Sequence, residues 1–371
     1  MTKTPSPSRP REIVIVGGGL IGVSTAYHLS RHPDLPPESR ITLVEENNVG
    51  TGSSGYASGL LVRNQDDELS TIGFDLHKTL ARDYGGELKW GYKPIDFYNA
   101  TLNPSNTSTS NGHPSSSPSV PFLPSTAQID HPHPHSPNTT AIINPSELTR
   151  HLCGLFLTHP GGSLRIARAT SLTFDNQKSS RRVVNGINIV QIINSIEEIV
   201  HLRADTIVLC TGIKTPSLLG TFLGGEVPGL DVGRRDWEGL VLKTKQKHRP
   251  CAVMIRHNQE EEEGAGEVTL VVRDDGKIMV SRPIPTTTNN SPSFLKYIES
   301  LSPTFSSSSG TLILSQTQWS APLTPDDKPF VGDLSDIASE MDVDGIWLGV
   351  GGDTTQGPAI GLKLSRSILQ K

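Results

Sequence analysis

Ile13-Val-Ile-Val-Gly17-Gly18-Gly19-Leu20-Ile21-Gly22-Val-Ser-Thr-Ala26 is an apolar run that stops at glycines and resumes with small and apolar residues at helical spacing. It reads as strand, tight turn, helix. Gly17 suits a turn that a Cβ would obstruct, Gly19 opens the backbone to a pyrophosphate, and Gly22 lets the new helix pack closely on the first strand. The unpaired N–H groups at the helix start, those of Leu20 and Ile21, then face phosphate. Twenty-three residues after Gly22, the apolar run Ile41-Thr-Leu-Val44 closes on Glu45, a carboxylate placed to accept hydrogen bonds from ribose hydroxyls. The whole is a dinucleotide-binding βαβ unit.

Directly after Glu45 comes Gly50-Thr51-Gly52-Ser53-Ser54-Gly55-Tyr56-Ala57-Ser58-Gly59-Leu60-Leu61. Two readings of it stand: a flexible surface loop, or a nest of N–H groups and hydroxyls, with Gly52, Ser53, Ser54, Gly59 and Leu60 gripping phosphate or ribitol. Its place after Glu45 favours the nest. Further on, Ala204-Asp-Thr-Ile-Val-Leu-Cys-Thr211-Gly212 reads as a buried parallel strand ending on a small-residue turn. The last such unit is Ile346-Trp-Leu-Gly-Val350 followed by Gly351-Gly352, a turn from Asp353 to Gly361 and a final amphipathic helix over 362–369. It brings a second helix N-terminus to the same nucleotide.

The chain has 371 residues and a net charge of −5, with its Arg and Lys scattered rather than striped, so nucleic acid is not an expected partner. No apolar run reaches the length of a membrane span. Cys153, Cys210 and Cys251 are far apart and odd in number, as for reduced thiols in the cytoplasm. Residues 66–90 carry a helical pattern through Leu69, Ile72, Leu76 and Leu80, ending at Gly85-Gly86. Residues 163–167, 183–189 and 197–202 suggest a β meander, and 252–255, 268–272 and 278–280 further strands. The acidic run Glu260–Glu263 is expected at a solvated hairpin tip. Residues 103–140 and 284–309 are rich in Ser, Pro, Asn and Thr and are expected to be disordered insertions, the second interrupted by a helical Phe294–Ile298. His131-Pro-His-Pro-His135 lacks a rigid shell for a metal, and no metal is expected.

These motifs together resemble the FAD-dependent oxidoreductases of the D-amino acid oxidase superfamily, which includes glycine and sarcosine oxidases. Residues 52–61 look like a flavin loop found in a fungal branch of oxidoreductases. Residues 204–212 resemble the family's second nucleotide-contacting strand, and Thr324-Pro-Asp-Asp-Lys-Pro-Phe-Val-Gly332 its TPDxxPxhG segment. The resemblance implies an α/β fold: a Rossmann-like FAD domain over 8–62, 141–214 and 332–371, and a discontinuous, mainly antiparallel β (α+β) substrate domain over 63–102 and 215–331. It adds Ala169 to the cofactor-binding residues and favours FAD over NAD, because the later motifs have no counterpart in NAD domains. Family members often have an arginine where this chain has Ala321, and a glycine-histidine pair where it has Gly351-Gly352. Trp319 stands where covalent-flavin oxidases place a cysteine, so the FAD is expected to be noncovalent.

By the same resemblance, an amine or amino acid loses its α-hydrogen to the flavin and dioxygen serves as acceptor. No protein nucleophile is required, and no such motif is present. Arg273, in Val271-Val-Arg-Asp-Asp-Gly276, falls where the family often has a substrate-binding arginine, and a guanidinium grips a carboxylate bidentately. The alternative is a hairpin arginine paired with Asp274 or Asp275. Tyr56 and Tyr92 are further pocket candidates, with core packing the competing reading. A flavin-binding scaffold for trafficking or assembly, or a dehydrogenase with another acceptor, remains open beside the oxidase.

Overall fold

The computed structural model describes residues 9–102, 120, 122–123, 127–130, 138–175, 181–257, 267–284, 293–338 and 340–371. The strings His131–His135 and Glu260–Glu263 lie outside them. A six-stranded sheet carries the first half of the architecture, in the order Phe330–Asp333, Ile346–Val350, Thr206–Leu209, Glu12–Val16, Arg40–Glu45, Gly162–Ile166. Five of these strands run parallel, and Phe330–Asp333 is antiparallel to its neighbour. Thr206–Leu209 and Ile346–Val350 are buried throughout, which fits strands covered on both faces.

The two faces are covered differently. Ile13, Ile15, Ile41, Leu43 and Val208 pack against the helices Leu20–Leu29, Pro145–Phe156 and Gly357–Gln370. Val14, Val16, Val44, Ile207 and Leu348 instead meet an antiparallel meander of Arg168–Phe174, Arg182–Ile193 and Ile196–Arg203, through Ala169, Ile187 and Ile189. Gly162–Ile166, read from sequence as part of that meander, is the edge strand of the main sheet. It continues the parallel register beyond Arg40–Glu45.

The helix Glu68–Tyr84 starts at Asp67, whose carboxylate accepts from Leu69 N, and stops at Gly85 in a left-handed conformation. Its buried face runs through Gly73, Phe74, His77 and Leu80 rather than through Ile72 and Leu76. Phe74 and Leu80 join the core under Leu20–Leu29, so this helix packs on the nucleotide-binding half although its sequence position suggested the other.

A seven-stranded sheet forms that other half, in the order Leu312–Leu323, Gly233–Lys243, Lys277–Pro283, Val268–Val272, Cys251–His257, Asp96–Leu102, Gln128–Asp130. The helix Phe294–Leu301, capped by Ser293, closes one face with Phe294, Ile298 and Leu301. Arg282 and Glu238 form a buried ion pair under it at 2.8 Å, with the guanidinium over the rings of Phe294 and Tyr297. The expectation of disorder across 103–140 and 284–309 is corrected in part. Val120 and Phe122 are buried, Phe122 against Phe305 and His248, and Gln128–Asp130 pairs with Asn99–Thr101. These few apolar residues, set within a polar stretch, are themselves held on a core that already exists. No helix among the described residues is long and apolar enough to cross a membrane.

Candidate active site

The strand Glu12–Val16 delivers the chain into Gly17, whose φ of 109° and whose hypothetical Cβ, 2.3 Å from the Cys210 carbonyl, restrict the position to glycine. Gly22 sits against the carbonyl of Gly17 itself, where a Cβ would approach to 2.0 Å. Strand, turn and helix are thus locked together. Gly18 N donates to Glu45 Oε2 at 2.6 Å, and Asn47 N donates to Glu45 Oε1 at 2.9 Å. The carboxylate is therefore held at the mouth of the glycine turn. Leu20 N, one of the free donors at the helix start, donates to Ser54 Oγ at 3.1 Å, which ties the second glycine-rich loop to the first.

From this turn a cavity of about 1250 Å3 extends to the seven-stranded sheet. That exceeds the roughly 300–1,000 Å3 of sites for drug-sized ligands, so there is room for a dinucleotide and a second molecule. Of the residues expected at the cofactor, Gly17, Gly19, Leu20, Ile21, Glu45, Gly52, Ser53, Ser54, Leu60, Ala169, Thr211, Gly212, Gly351 and Gly352 line it. Gly22, Gly59 and Gly361 do not. Gly59 backs onto the Ile143 carbonyl, and Gly361 lies one turn inside the last helix against Ser24, at the crossing with Leu20–Leu29.

Arg273 does not line the cavity either. The strand Val268–Val272 ends before it, and in the following turn its Nη2 donates to the Ser58 carbonyl at 3.3 Å. Burial pushes the guanidinium below its ordinary value, with Asp275 and Glu147 opposing the shift. Asp274 and Asp275 are paired with Lys93 and Lys277 instead. Tyr92 is outside the cavity, where burial pushes its hydroxyl up to about 12.

The far wall is aromatic. Trp237 and Trp319 are cross-strand partners with ring centroids 6.2 Å apart and planes within 11°, and Tyr56 continues the series from Trp319 at 6.2 Å. Gly239 leaves the floor open for the indole, since a Cβ there would meet Trp319 at 2.8 Å. Sequence reasoning named Tyr56 and Trp319 but missed Trp237, which becomes a wall residue only through the pairing of strands some 80 residues apart.

Between wall and turn lies the loop before the last helix. Val62 N donates to Thr355 Oγ1 at 3.2 Å, His77 Nε2 bonds the Thr354 carbonyl at 2.9 Å, and Gln356 Nε2 donates to Asp67. His77 is fully buried, so desolvation drives its pKa down to about 4 and the ring stays neutral. Asp353, surrounded by protein yet open to the cavity, has its carboxyl pushed upward by burial and by the nearby Asp67. The helix residues that clamp this loop, His77 and Asp67, are silent in sequence because each reads as an ordinary helix or cap position.

Cys210 is the one cysteine in the cavity lining. Burial pushes its thiol up to about 12, partly offset by a hydrogen bond with Thr25, so it is an inert packing group beneath Gly17. The glycine turn, the waiting carboxylate, the two helix N-termini and the size of the cavity fit FAD.

The family profile described as DAO, FAD dependent oxidoreductase, matches residues 12–366 of this chain. A Saccharomyces cerevisiae protein named "Putative oxidoreductase TDA3" is 41% identical over 87 residues, 23% of this chain and 17% of that protein. The 4-methylaminobutanoate oxidase (formaldehyde-forming) of Paenarthrobacter nicotinovorans is 36% identical over 85 residues, 22% of this chain and 10% of that protein. The matched segments therefore span well under two thirds of either relative. The crystal structure of glycine oxidase from Bacillus cereus superimposes with a TM-score of 0.68 at 15% identity, covering 97% of this chain and 95% of that one, and so shares the fold.

Proposed function

The chain belongs to the DAO family of FAD-dependent oxidoreductases, and from that premise we propose that it oxidises the C–N bond of a small amine or amino acid with noncovalent FAD and dioxygen. The observation that carries this reading is the single cavity joining the glycine turn at Gly17–Ile21 to the indole wall of Trp237 and Trp319. When bound, FAD supplies a two-electron acceptor for the hydrogen on the carbon beside the substrate nitrogen, and dioxygen takes that pair with two protons as hydrogen peroxide.

The protein's own share is binding and exclusion of water. In this reading Glu45 accepts hydrogen bonds from the adenosine ribose, exchanging its bond to Gly18 N for them, and the N–H groups of Gly19 and Ile21 face the pyrophosphate, joined by that of Leu20 as it exchanges Ser54 Oγ for a phosphate oxygen. The turn of Gly351 and Gly352, braced by His77 and Thr355, presents the second helix N-terminus to the flavin ring. Trp237, Trp319 and Tyr56 give the substrate's apolar body a dry surface, which strengthens polar contacts made beside it.

Noncovalent attachment is supported by Trp319, an indole that offers no nucleophile, and by Cys210, which lies below the turn with a raised pKa. Three buried free thiols accord with a cytoplasmic protein. The test is to mix the yellow protein anaerobically with a panel of amino acids and secondary amines and follow the flavin absorbance. Bleaching by one of them, reversed by air with release of peroxide, supports the oxidase. Bleaching without reversal by air points to another acceptor, and flavin that no amine reduces contradicts the assignment.

A further inference from the structure

The antiparallel meander over the six-stranded sheet ends in an uncovered edge. Ile196–Arg203 pairs with Arg182–Ile193 on one side, and no strand among the described residues pairs with the other. Outward N–H and C=O groups are therefore open along this strand. The hairpin that presents them is well defined. Asn194 and Ser195 both have positive φ, 51° and 65°, as in the two-residue turn whose twist matches that of its strands.

The two faces of the hairpin differ. Ile187 and Ile189 are buried, and Leu202 and Val200 opposite them pack on the same core. The other face carries Ile192, Glu197, Ile199, His201 and Arg203, all exposed. Ile192 is 71% exposed there and Ile199 76%, and Ile193 and Ile196 are exposed at the tip. Proteins blunt such edges with lysine, proline or a bulge, and Ile196–Arg203 has none of the three. Its register runs unbroken from Arg203 opposite Gly186 to Ile196 opposite Ile193. Leu312–Leu323, the other edge with exposed leucine and isoleucine, is interrupted by a register shift.

We propose that two copies of this chain join along Ile196–Arg203, antiparallel about a twofold axis at Ile199, so that their meanders form one continuous sheet. A second copy is the fitting occupant because the strand complements itself. Glu197 and Glu198 stand towards one end, His201 and Arg203 towards the other. An antiparallel copy brings opposite ends together, whereas a parallel copy would set acid beside acid. With Ile199 opposite its own counterpart, Glu197 faces His201 of the second copy with Arg203 on the diagonal, and Ile196 faces Leu202. Val200 against Glu198 is the one mixed pair. Both chains use the same patch, so the assembly closes at two. The proposal is independent of the oxidase reading, since residues 186–203 do not line the cavity.

The experiment is sedimentation velocity of the purified full chain over a wide range of concentration, where a monomer–dimer equilibrium is expected. Ile199→Asp, which sets two carboxylates opposite each other across the axis, should raise the dimer dissociation constant at least about tenfold. Glu197→Arg and Arg203→Glu should each weaken the dimer, and both changes in one chain should restore it. Circular dichroism of each variant should match the parent, because every changed side chain is exposed. On mild oxidation Ile199→Cys should cross-link into dimers much faster than Ile192→Cys, which is similarly exposed but lies on the inner strand. The native cysteines are buried and do not compete. A parent that stays monomeric throughout overturns the proposal, including one whose isoleucines instead carry it to phosphatidylcholine vesicles in a flotation assay. A dimer that Ile199→Asp and the charge reversals leave intact also overturns it, because its interface then lies elsewhere.

Discussion

Gly18 donates its backbone N–H to Glu45 Oε2 at 2.6 Å, across 27 residues of chain. The bond holds the carboxylate at the glycine turn before any ligand arrives, in the position where ribose hydroxyls are expected. Hydrogen bonds to a charged group contribute roughly 1.5–3 kcal/mol, so Glu45→Ala should weaken FAD binding by about ten- to a hundred-fold. Fluorescence titration of the flavin-free protein with FAD measures this. A folded variant with parental affinity would remove Glu45 from the site.

Gly22 carries the most exacting steric demand in the turn. A Cβ there would lie 2.0 Å from the Gly17 carbonyl, which is backbone and has no rotamer to change. Gly22→Val should therefore displace the helix start, costing at least about 1–3 kcal/mol and lowering the flavin bound per chain. Melting temperature and flavin stoichiometry report the two effects separately. A variant with parental values of both would show that the turn adapts.

The parts of this site that could be read in the sequence are those whose geometry is local. Strand, turn, helix and Glu45 follow one another within 34 residues, and the structure closes them through bonds inside that span such as Gly17 N to the Val44 carbonyl. Arg273 was singled out by likeness to a strand position, but the strand ends at Val272 and the side chain turns to Ser58. Arg235 and Trp237 carry no motif. They meet Ala321 and Trp319 only because a long-range pairing sets their register, and register between distant strands is not written in either strand alone. Gly361 was counted as part of a helix N-terminus that begins four residues earlier, at Gly357.

His77, which is fully buried, and His28, which is partly buried, should make the fold sensitive to mild acid. Desolvation holds the pKa of His28 and of His77 at about 4, against an ordinary value of 6.5. Because the folded values are the lower ones, the unfolded chain binds protons first, and stability is lost as pH falls from 6.5 towards 4. Each contributes up to about 2 kcal/mol of loss between pH 6.5 and 5. Urea midpoints across this range should fall for the parent and fall about half as much for His28→Leu. An unchanged slope in that variant would place the acid sensitivity elsewhere.

Phe122 belongs to a segment whose composition alone suggests disorder, yet it is 1% exposed and packs on Phe305. Phe122→Ala should lower stability by roughly 3–5 kcal/mol, the usual cost of emptying a buried phenylalanine site. Denaturant unfolding measures it. A loss under about 1 kcal/mol, within the range of surface substitutions, would mean that the segment rests on the sheet without supporting it.

We propose that the cavity between the glycine turn and the indole wall holds FAD without a covalent bond. The most direct measurement is the absorbance of supernatant and pellet after acid precipitation of the purified protein, with the released flavin identified by chromatography. One FAD per chain is expected, all of it in the supernatant. Flavin retained by the pellet, or a protein that neither carries nor takes up FAD, would contradict it.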